Sequence, residues 1–370
     1  MKQLVITVFS LGMVMASCNS DGPISSDSAE NPLLTFSATE AMLDIEESGR
    51  SAAKIPDTTL TAKVNDGRVF KVDVISEPIA TPESRSQTRE FTEFRLFGWL
   101  KNTVDGVSRE IVYAKDAFTA KQSDVTWIPY AMAGNELTNY RWPGVGSKLA
   151  FLGVAPRLSN NNADRDQLAH QPVIDMVSDP ATITVNMEQN YDVDLMIAAC
   201  GVAGDAYIRN GDGPVKMKFR RLVSAVEVRV QAKLFPETSF RSVALHNIRC
   251  NGTYKFYHSR IFDLAYTEKI PNEAWTIEEG KSQVSTGIMK TKATGTVTDN
   301  SYFNLNDDNM LYVLPQEKSE NAVLTFTFCN TADVKADGTV DNDKLRTASL
   351  KIPNLQFQQN QKYVFYVNAD

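Results

Sequence analysis

The sequence predicts an all-β protein, and three observations carry that prediction. Several segments alternate apolar and polar residues with period two. Others are short runs of β-branched and aromatic residues. Between them lie Asn-Gly and Asp-Gly turn signals, and no long stretch shows the 3.6-residue periodicity of an amphipathic helix. The clearest strand is Val226, Val228, Val230, Ala232 and Leu234 alternating with Glu227, Arg229, Gln231 and Lys233, the pattern of a half-buried strand with its charges in water. FTEFRLFGWL (91–100), LAFLGVAP (149–156), ATITVNM (181–187), YKFYHSRIF (254–262), AVLTFTFC (322–329) and KYVFYVN (362–368) read as further strands. Turns are expected at Asn65-Asp66-Gly67, Asn210-Gly211-Asp212-Gly213, Asn251-Gly252 and Asp337-Gly338. Short strands with such turns, over 370 residues, predict sandwiches. The 15 prolines suit loops and edge strands.

Composition narrows the function. Lys+Arg 38 against Asp+Glu 45 gives a net charge of −7, which disfavours a general nucleic-acid binder, since that needs a basic face to displace phosphate counterions. With 42% hydrophobic and 22% charged residues the chain is that of a folded globular protein of about two domains.

The first residues read as an export signal. Lys2 supplies a positive start, and residues 4–15 (LVITVFSLGMVM) are an uncharged apolar run, shorter than the roughly 20 residues that span a bilayer. Met15-Ala16-Ser17-Cys18 resembles a bacterial lipobox, which places signal cleavage before Cys18 and lipidation on it. Two or more acyl chains give stable anchoring. Residues 1–17 are thus read as a lipoprotein signal peptide, and 18–32, rich in Ser, Asp, Asn, Pro and Gly, as a flexible tether. Cys200, Cys250 and Cys329 remain. They form neither a disulfide framework nor a CxxC zinc pattern, and buried free thiols are the favoured reading beside one disulfide.

A domain break is expected at the Gly-rich, polar stretch 201–214, dividing an N-terminal sandwich (33–205) from a C-terminal one (212–370).

Motifs for catalysis are not found. There is no GxSxG elbow, and His170, His246 and His258 lack metal-ligand spacing. Gly144-Val145-Gly146-Ser147-Lys148 lacks the full phosphate-loop pattern and reads as a loop. Asp164 with Asp166, and Asp333, Asp337, Asp341 and Asp343, are acidic clusters that could attract Ca²⁺; the second lacks EF-hand spacing and reads as a solvated hairpin tip. No catalytic residue, metal or cofactor is assigned. Trp99, Trp127, Trp142 and Trp275 read as core residues, with a glycan-binding platform as the alternative.

Several segments together resemble the fimbrillin family of Bacteroidota, the type V pilin-like lipoproteins. They are FRLFGWL (94–100), Arg141-Trp142-Pro143 followed by LAFLGVAP, Asp194-Leu195-Met196 with Ala198, KMKFRRLVSAVEVRV (216–230), Tyr312-Val313-Leu314-Pro315-Gln316 and the closing KYVFYVN. Arg220-Arg221 depart from the family, where His often stands. The resemblance implies two tandem transthyretin-like sandwiches of Greek-key, antiparallel strands. It also implies an outer-membrane, surface-exposed lipoprotein that becomes part of a fimbria after an Arg-specific protease removes its first strand. A strand from a neighbouring subunit then fills the gap, head to tail.

Residues 33–50 hold the parts for this. LLTFSATEAML (33–43) is the removable strand, with Leu33, Leu34, Phe36 and Ala38 as its apolar positions, and Arg50-Ser51 is the expected cut. Arg89 is a second candidate, where a cut is expected to damage the first domain. The last strand, 356–368, is either a donor for a neighbour or part of the core. Expected partners are other fimbrial subunits, the bilayer through Cys18, and glycans or proteins of host or bacterial surfaces. The alternative from another class is a non-polymerising surface lipoprotein that binds glycans.

Overall fold

A computed structural model describes residues 32–40, 58–65, 67, 69–78, 93–104, 107–123, 126–133, 136–143, 148–157, 172–188, 193–202, 214–231, 238–263, 275–278, 282–288, 302–304, 311–316, 322–352 and 356–368. They form 22 strands. The first eleven are β1 (Phe36–Glu40), β2 (Thr58–Val64), β3 (Val69–Pro78), β4 (Glu93–Val104), β5 (Val107–Ser123), β6 (Thr126–Ala133), β7 (Glu136–Asn139), β8 (Lys148–Ala155), β9 (Val173–Asp175), β10 (Ala181–Asn186) and β11 (Met196–Val202). The remainder are β12 (Val215–Arg221), β13 (Ser224–Gln231), β14 (Thr238–Ile248), β15 (Asn251–Phe256), β16 (Trp275–Ile277), β17 (Ser282–Ile288), β18 (Tyr302–Asn304), β19 (Leu311–Val313), β20 (Ala322–Asn330), β21 (Arg346–Ile352) and β22 (Gln361–Asn368). Among the described residues helix is confined to short 3-10 turns. The protein is all-β, as its sequence predicts.

Three sheets result. An eight-stranded sheet runs β1-β12-β11-β8-β4-β5-β6-β7, and a further contact between β1 and β6 closes it on itself. A four-stranded sheet runs β16-β15-β10-β9. A ten-stranded sheet runs β17-β14-β20-β21-β2-β3-β22-β13-β18, with β19 also on β13. Neighbours are antiparallel except at β1–β12 and β13–β22, which are parallel.

Burial follows the pleat. In β8, Leu149, Phe151 and Ala155 fill the inside of the closed sheet. Ala150, Leu152 and Val154 face a second, larger core shared with Ile183 and Tyr254 of the four-stranded sheet and Leu324 and Phe365 of the ten-stranded one. A strand buried on both faces needs an unbroken apolar run, which is what LAFLGVA is. Along β4 the pleat alternates: Phe94, Leu96 and Leu100 point inward while Phe97 and Trp99 point to the outer core.

Several expectations are corrected. Strands on the two sides of 201–214 share sheets: β12 pairs with β11 and β1, and the β2–β3 hairpin sits between β21 and β22. Its alternating Ala62, Val64, Phe70, Val72 and Val74 all point into the larger core. Pairing is decided by which sheet edges face one another, and local sequence does not report that. The chain before Arg89 thus supplies β1 to the eight-stranded sheet and β2 and β3 to the ten-stranded one.

Asn251-Gly252 begins β15 and is not a turn. A Cβ on Gly252 would lie 2.8 Å from Leu314 Cδ1, so this glycine serves close packing. The strand expected over 254–262 stops at Phe256, and His258–Arg260 form a 3-10 turn. Glu227, expected in water, is fully buried: it accepts from Arg229 Nε at 2.7 Å and lies 3.3 Å from Lys362 Nζ on the parallel neighbour β22. Ion pairing is what lets a carboxylate occupy that face. The acidic hairpin between β20 and β21 is held by its own contacts. Asp337 accepts from the backbone N–H and hydroxyl of Thr339, and Lys335 pairs with Asp341.

Candidate functional site: the β1 groove

Two aromatic side chains from two strands meet Phe36, and a third meets one of them. Its ring stands edge-on to Phe151 of β8 at 5.0 Å and to Phe94 of β4 at 6.3 Å; Phe94 in turn meets Phe219 of β12 at 5.1 Å. These arrangements suit the aromatic quadrupole. Leu34 and Phe36 are both 0% exposed. Ala38 is half-buried and packs on the same cluster. Leu33, the remaining apolar position of this segment, is 37% exposed, because it falls on the opposite phase of the strand.

The backbone of 32–40 works in two halves. At its start, Leu34 N–H donates to Tyr140 O (2.9 Å) and Trp142 N–H donates to Pro32 O (3.1 Å), antiparallel to 140–142. Beyond Leu34 the chain turns to β12. Val215 N–H donates to Thr35 O (2.9 Å), and Phe36–Glu40 run parallel to Val215–Phe219 over five residue pairs. On its other side β1 meets β6 only at Phe36–Trp127. This one segment therefore closes the sheet. Without it, β12 and the 140–142 strip are left with unpaired backbone groups, and the slot between them is lined by Phe94, Phe151, Met217 and Phe219. Burying a Leu or Phe side chain contributes about 1.5–3 kcal/mol, so the two inward residues hold the segment by roughly 3–6 kcal/mol before any hydrogen bond is counted.

The slot is shaped by its neighbours. A Cβ on Gly153 would lie 2.8 Å from Phe219 Cζ, so only glycine lets that ring cross β8. The Tyr113 hydroxyl donates to Arg141 O and steadies the 140–142 strip; burial and the adjoining Tyr140 raise its pKa. Arg221, at the end of β12, donates Nε to Asp194 Oδ2 at 2.7 Å and Oδ1 at 3.0 Å. That explains the Asp of Asp194-Leu195-Met196 and one of the two arginines that depart from the family pattern. Sequence reasoning missed the 140–142 strip and β12 as the partners of β1, although the KMKF alternation of 216–219 was a readable strand signal.

The other expected positions sort as follows. Cys18, Arg50, Ser51, Arg89, His170, Asp164, Asp166 and 144–147 lie outside the described residues. Cys200, Cys250 and Cys329 are free thiols. Burial pushes the Cys200 thiol up to about 11. His246 Nε2 shares a hydrogen bond with Thr325 Oγ1 (2.9 Å), and burial lowers its pKa. His258 stacks on Trp99 at 5.7 Å. Among the described residues no group of His, Cys, Asp and Glu could hold a metal. Trp99, Trp127 and Trp142 are buried, and Trp275 is half-buried with its Nε1 donating to Leu222 O. The glycan-binding alternative thus loses the aromatic platform proposed for it.

A family model described as fimbrillin-like matches residues 83–369. The chain belongs to the fimbrillin-like family. No curated protein matches it. Among solved structures, this fimbrillin-like chain is similar to a candidate cell adhesion protein of Bacteroides ovatus (11% identity, 91% of each chain covered, TM-score 0.44). It is also similar to candidate cell adhesion proteins of Bacteroides uniformis (12% identity, 72% of this chain and 93% of that one, TM-score 0.36) and Bacteroides thetaiotaomicron (11%, 90% and 92%, TM-score 0.35).

Proposed function

We propose that this fimbrillin-like protein is a cell-surface lipoprotein, anchored through Cys18, that serves as a structural or adhesive subunit of a fimbria. Processing after Arg50 frees the segment that ends in β1, and a strand from a neighbouring subunit takes its place head to tail. The observation that carries this reading is the closure of a sheet by one short N-terminal strand. That strand contributes two fully buried apolar side chains and is joined to β6 at a single residue pair. A segment built this way can be exchanged without unfolding the rest of the sheet. Family membership supports a surface location and a non-enzymatic role, and it makes other fimbrial subunits the natural partners.

Mass spectrometry of the N-terminus on intact cells tests the reading. An unlipidated form starting at Ser51 is the expected result for a polymerising subunit. A population that begins only at lipidated Cys18 would overturn the processing step and return weight to a non-polymerising surface lipoprotein.

A further inference from the structure

We propose that the outer face of the ten-stranded sheet binds a polyanionic glycan, a sugar chain carrying sulfate or carboxylate groups. This face belongs to a different sheet from the β1 groove, and the inference holds whether or not β1 is exchanged. Two observations carry it.

The first is a group of three cations around one hydroxyl. In β2, Ala62 and Val64 face the core, so Thr61 and Lys63 face water. Thr61 pairs with Lys71 of β3. Lys63 pairs with Ser349 of β21, which sets Lys351 beside Thr61 on its other side. Lys63, Lys71 and Lys351 are all exposed. Lys351 and Lys71 are two strand spacings apart, about 10 Å at the backbone. That is the scale of a disaccharide, and an alternating acidic glycan carries one anion per disaccharide. Like charges gathered in this way repel one another, so the fold gains nothing from the grouping.

The second is what surrounds the cations on a chain whose net charge is −7. Strands β14, β20, β21 and β2 carry no acid. The nearest on β3 is Asp73, which is already held: it accepts from Thr59 Oγ1 and Asn368 Nδ2, each at 2.7 Å, and lies 3.7 Å from Lys71 Nζ. Thr61 and Ser349 place hydroxyls between the ammonium groups, and these can donate to and accept from a sugar's own hydroxyls. Among the described residues no Trp, Tyr or Phe faces outward on β2, β20 or β21, so recognition here rests on charge and not on stacking. A bilayer is matched less well, since Val69 is the one large apolar side chain exposed on these strands among the described residues. The acidic hairpin of a second copy is also a poorer match, because Asp341 is paired with Lys335 and Asp343 with Lys344.

The test compares two triple variants of the full chain with equal net charge. One is Lys63→Gln, Lys71→Gln, Lys351→Gln. The other is Lys216→Gln, Lys218→Gln, Lys255→Gln, at exposed positions of β12 and β15. Biolayer interferometry reads binding to immobilised heparin, with neutral dextran and phosphatidylglycerol vesicles as comparison surfaces. The native chain is expected to bind heparin, more weakly as salt rises from about 50 to 200 mM. The first variant should lose at least about tenfold in affinity and the second less than about twofold. Acetylation footprinting of the native chain gives a readout without substitution: heparin should slow labelling of Lys63, Lys71 and Lys351 but not of Lys216. No heparin binding, equal loss in the two variants, or uniform protection would overturn the inference. Equally tight binding to dextran or to the vesicles would also overturn it. So would salt-sensitive self-association abolished by the first variant, which would assign the face to a second copy.

Discussion

The Phe36 ring stands edge-on to Phe151, with centroids 5.0 Å apart and planes at 87°. An N-terminal residue is thereby built into the centre of a sheet whose other strands come from 93–221. Phe36→Ala removes the ring and leaves a cavity in an otherwise close-packed interior. A loss of about 3–5 kcal/mol is expected in urea unfolding of the full chain. An unchanged midpoint would mean that β1 does not occupy the groove in solution.

Gly153 is where Phe219 crosses β8. Gly153→Ala places a Cβ 2.8 Å from Phe219 Cζ. The ring must move, and overpacking of this kind costs about 1–3 kcal/mol. Thermal unfolding reads it as a lowered Tm. The same substitution is expected to accelerate exchange of β1, since Phe219 also lines the slot.

Lys362 Nζ and Arg229 Nε both face the buried Glu227 carboxyl, at 3.3 and 2.7 Å. Lys362→Met removes one cation and keeps much of the volume. Breaking a buried pair from one side costs about 3–5 kcal/mol, with Arg229, itself partly exposed, offsetting part of it. Replacing Glu227 as well, with Gln, should recover most of the loss. A double-mutant cycle measures that recovery, and strict additivity would show that the residues do not interact.

Cys200 is expected to resist modification in the folded protein. Its thiol, pushed up to about 11 by burial, carries at pH 8 roughly two orders of magnitude less thiolate than a free cysteine. Iodoacetamide labelling at pH 8 should therefore be slow until the chain unfolds. The folded value lies above the unfolded one, so the thiol's contribution to stability is complete below about pH 8.5 and is lost as pH rises toward 11. A native-state labelling rate equal to that of a free thiol would contradict this.

Asp337 shows the opposite sign. Its carboxylate accepts from the hydroxyl and the backbone N–H of Thr339, which lowers its pKa below the ordinary carboxylate value. Any stability it adds is present above the unfolded pKa and fades as pH falls through the folded one. An NMR titration should find it among the more acidic carboxyls of the chain, and Thr339→Ala should move it back up.

Much of this molecule was legible before the structure. Period two in 226–230 and the β-branched and aromatic runs of 322–328 and 362–367 marked strands, because residues of these kinds in these patterns suit a pleated surface that meets a core. Leu33, Leu34, Phe36 and Ala38 were legible as the apolar residues of a strand, but not which of them face inward. What the sequence by itself determined is the class of the fold, the strands and which of their faces are apolar. Only the tertiary structure decided their partners. It put β12 beside β1, set β2 and β3 between β21 and β22, buried Glu227 against Lys362, and turned Asn251-Gly252 from a turn into the start of a strand. Burial phase is a local property of the chain. The pairing of sheet edges depends on backbone groups far apart in sequence, each satisfied only by whichever strand the packed core brings alongside.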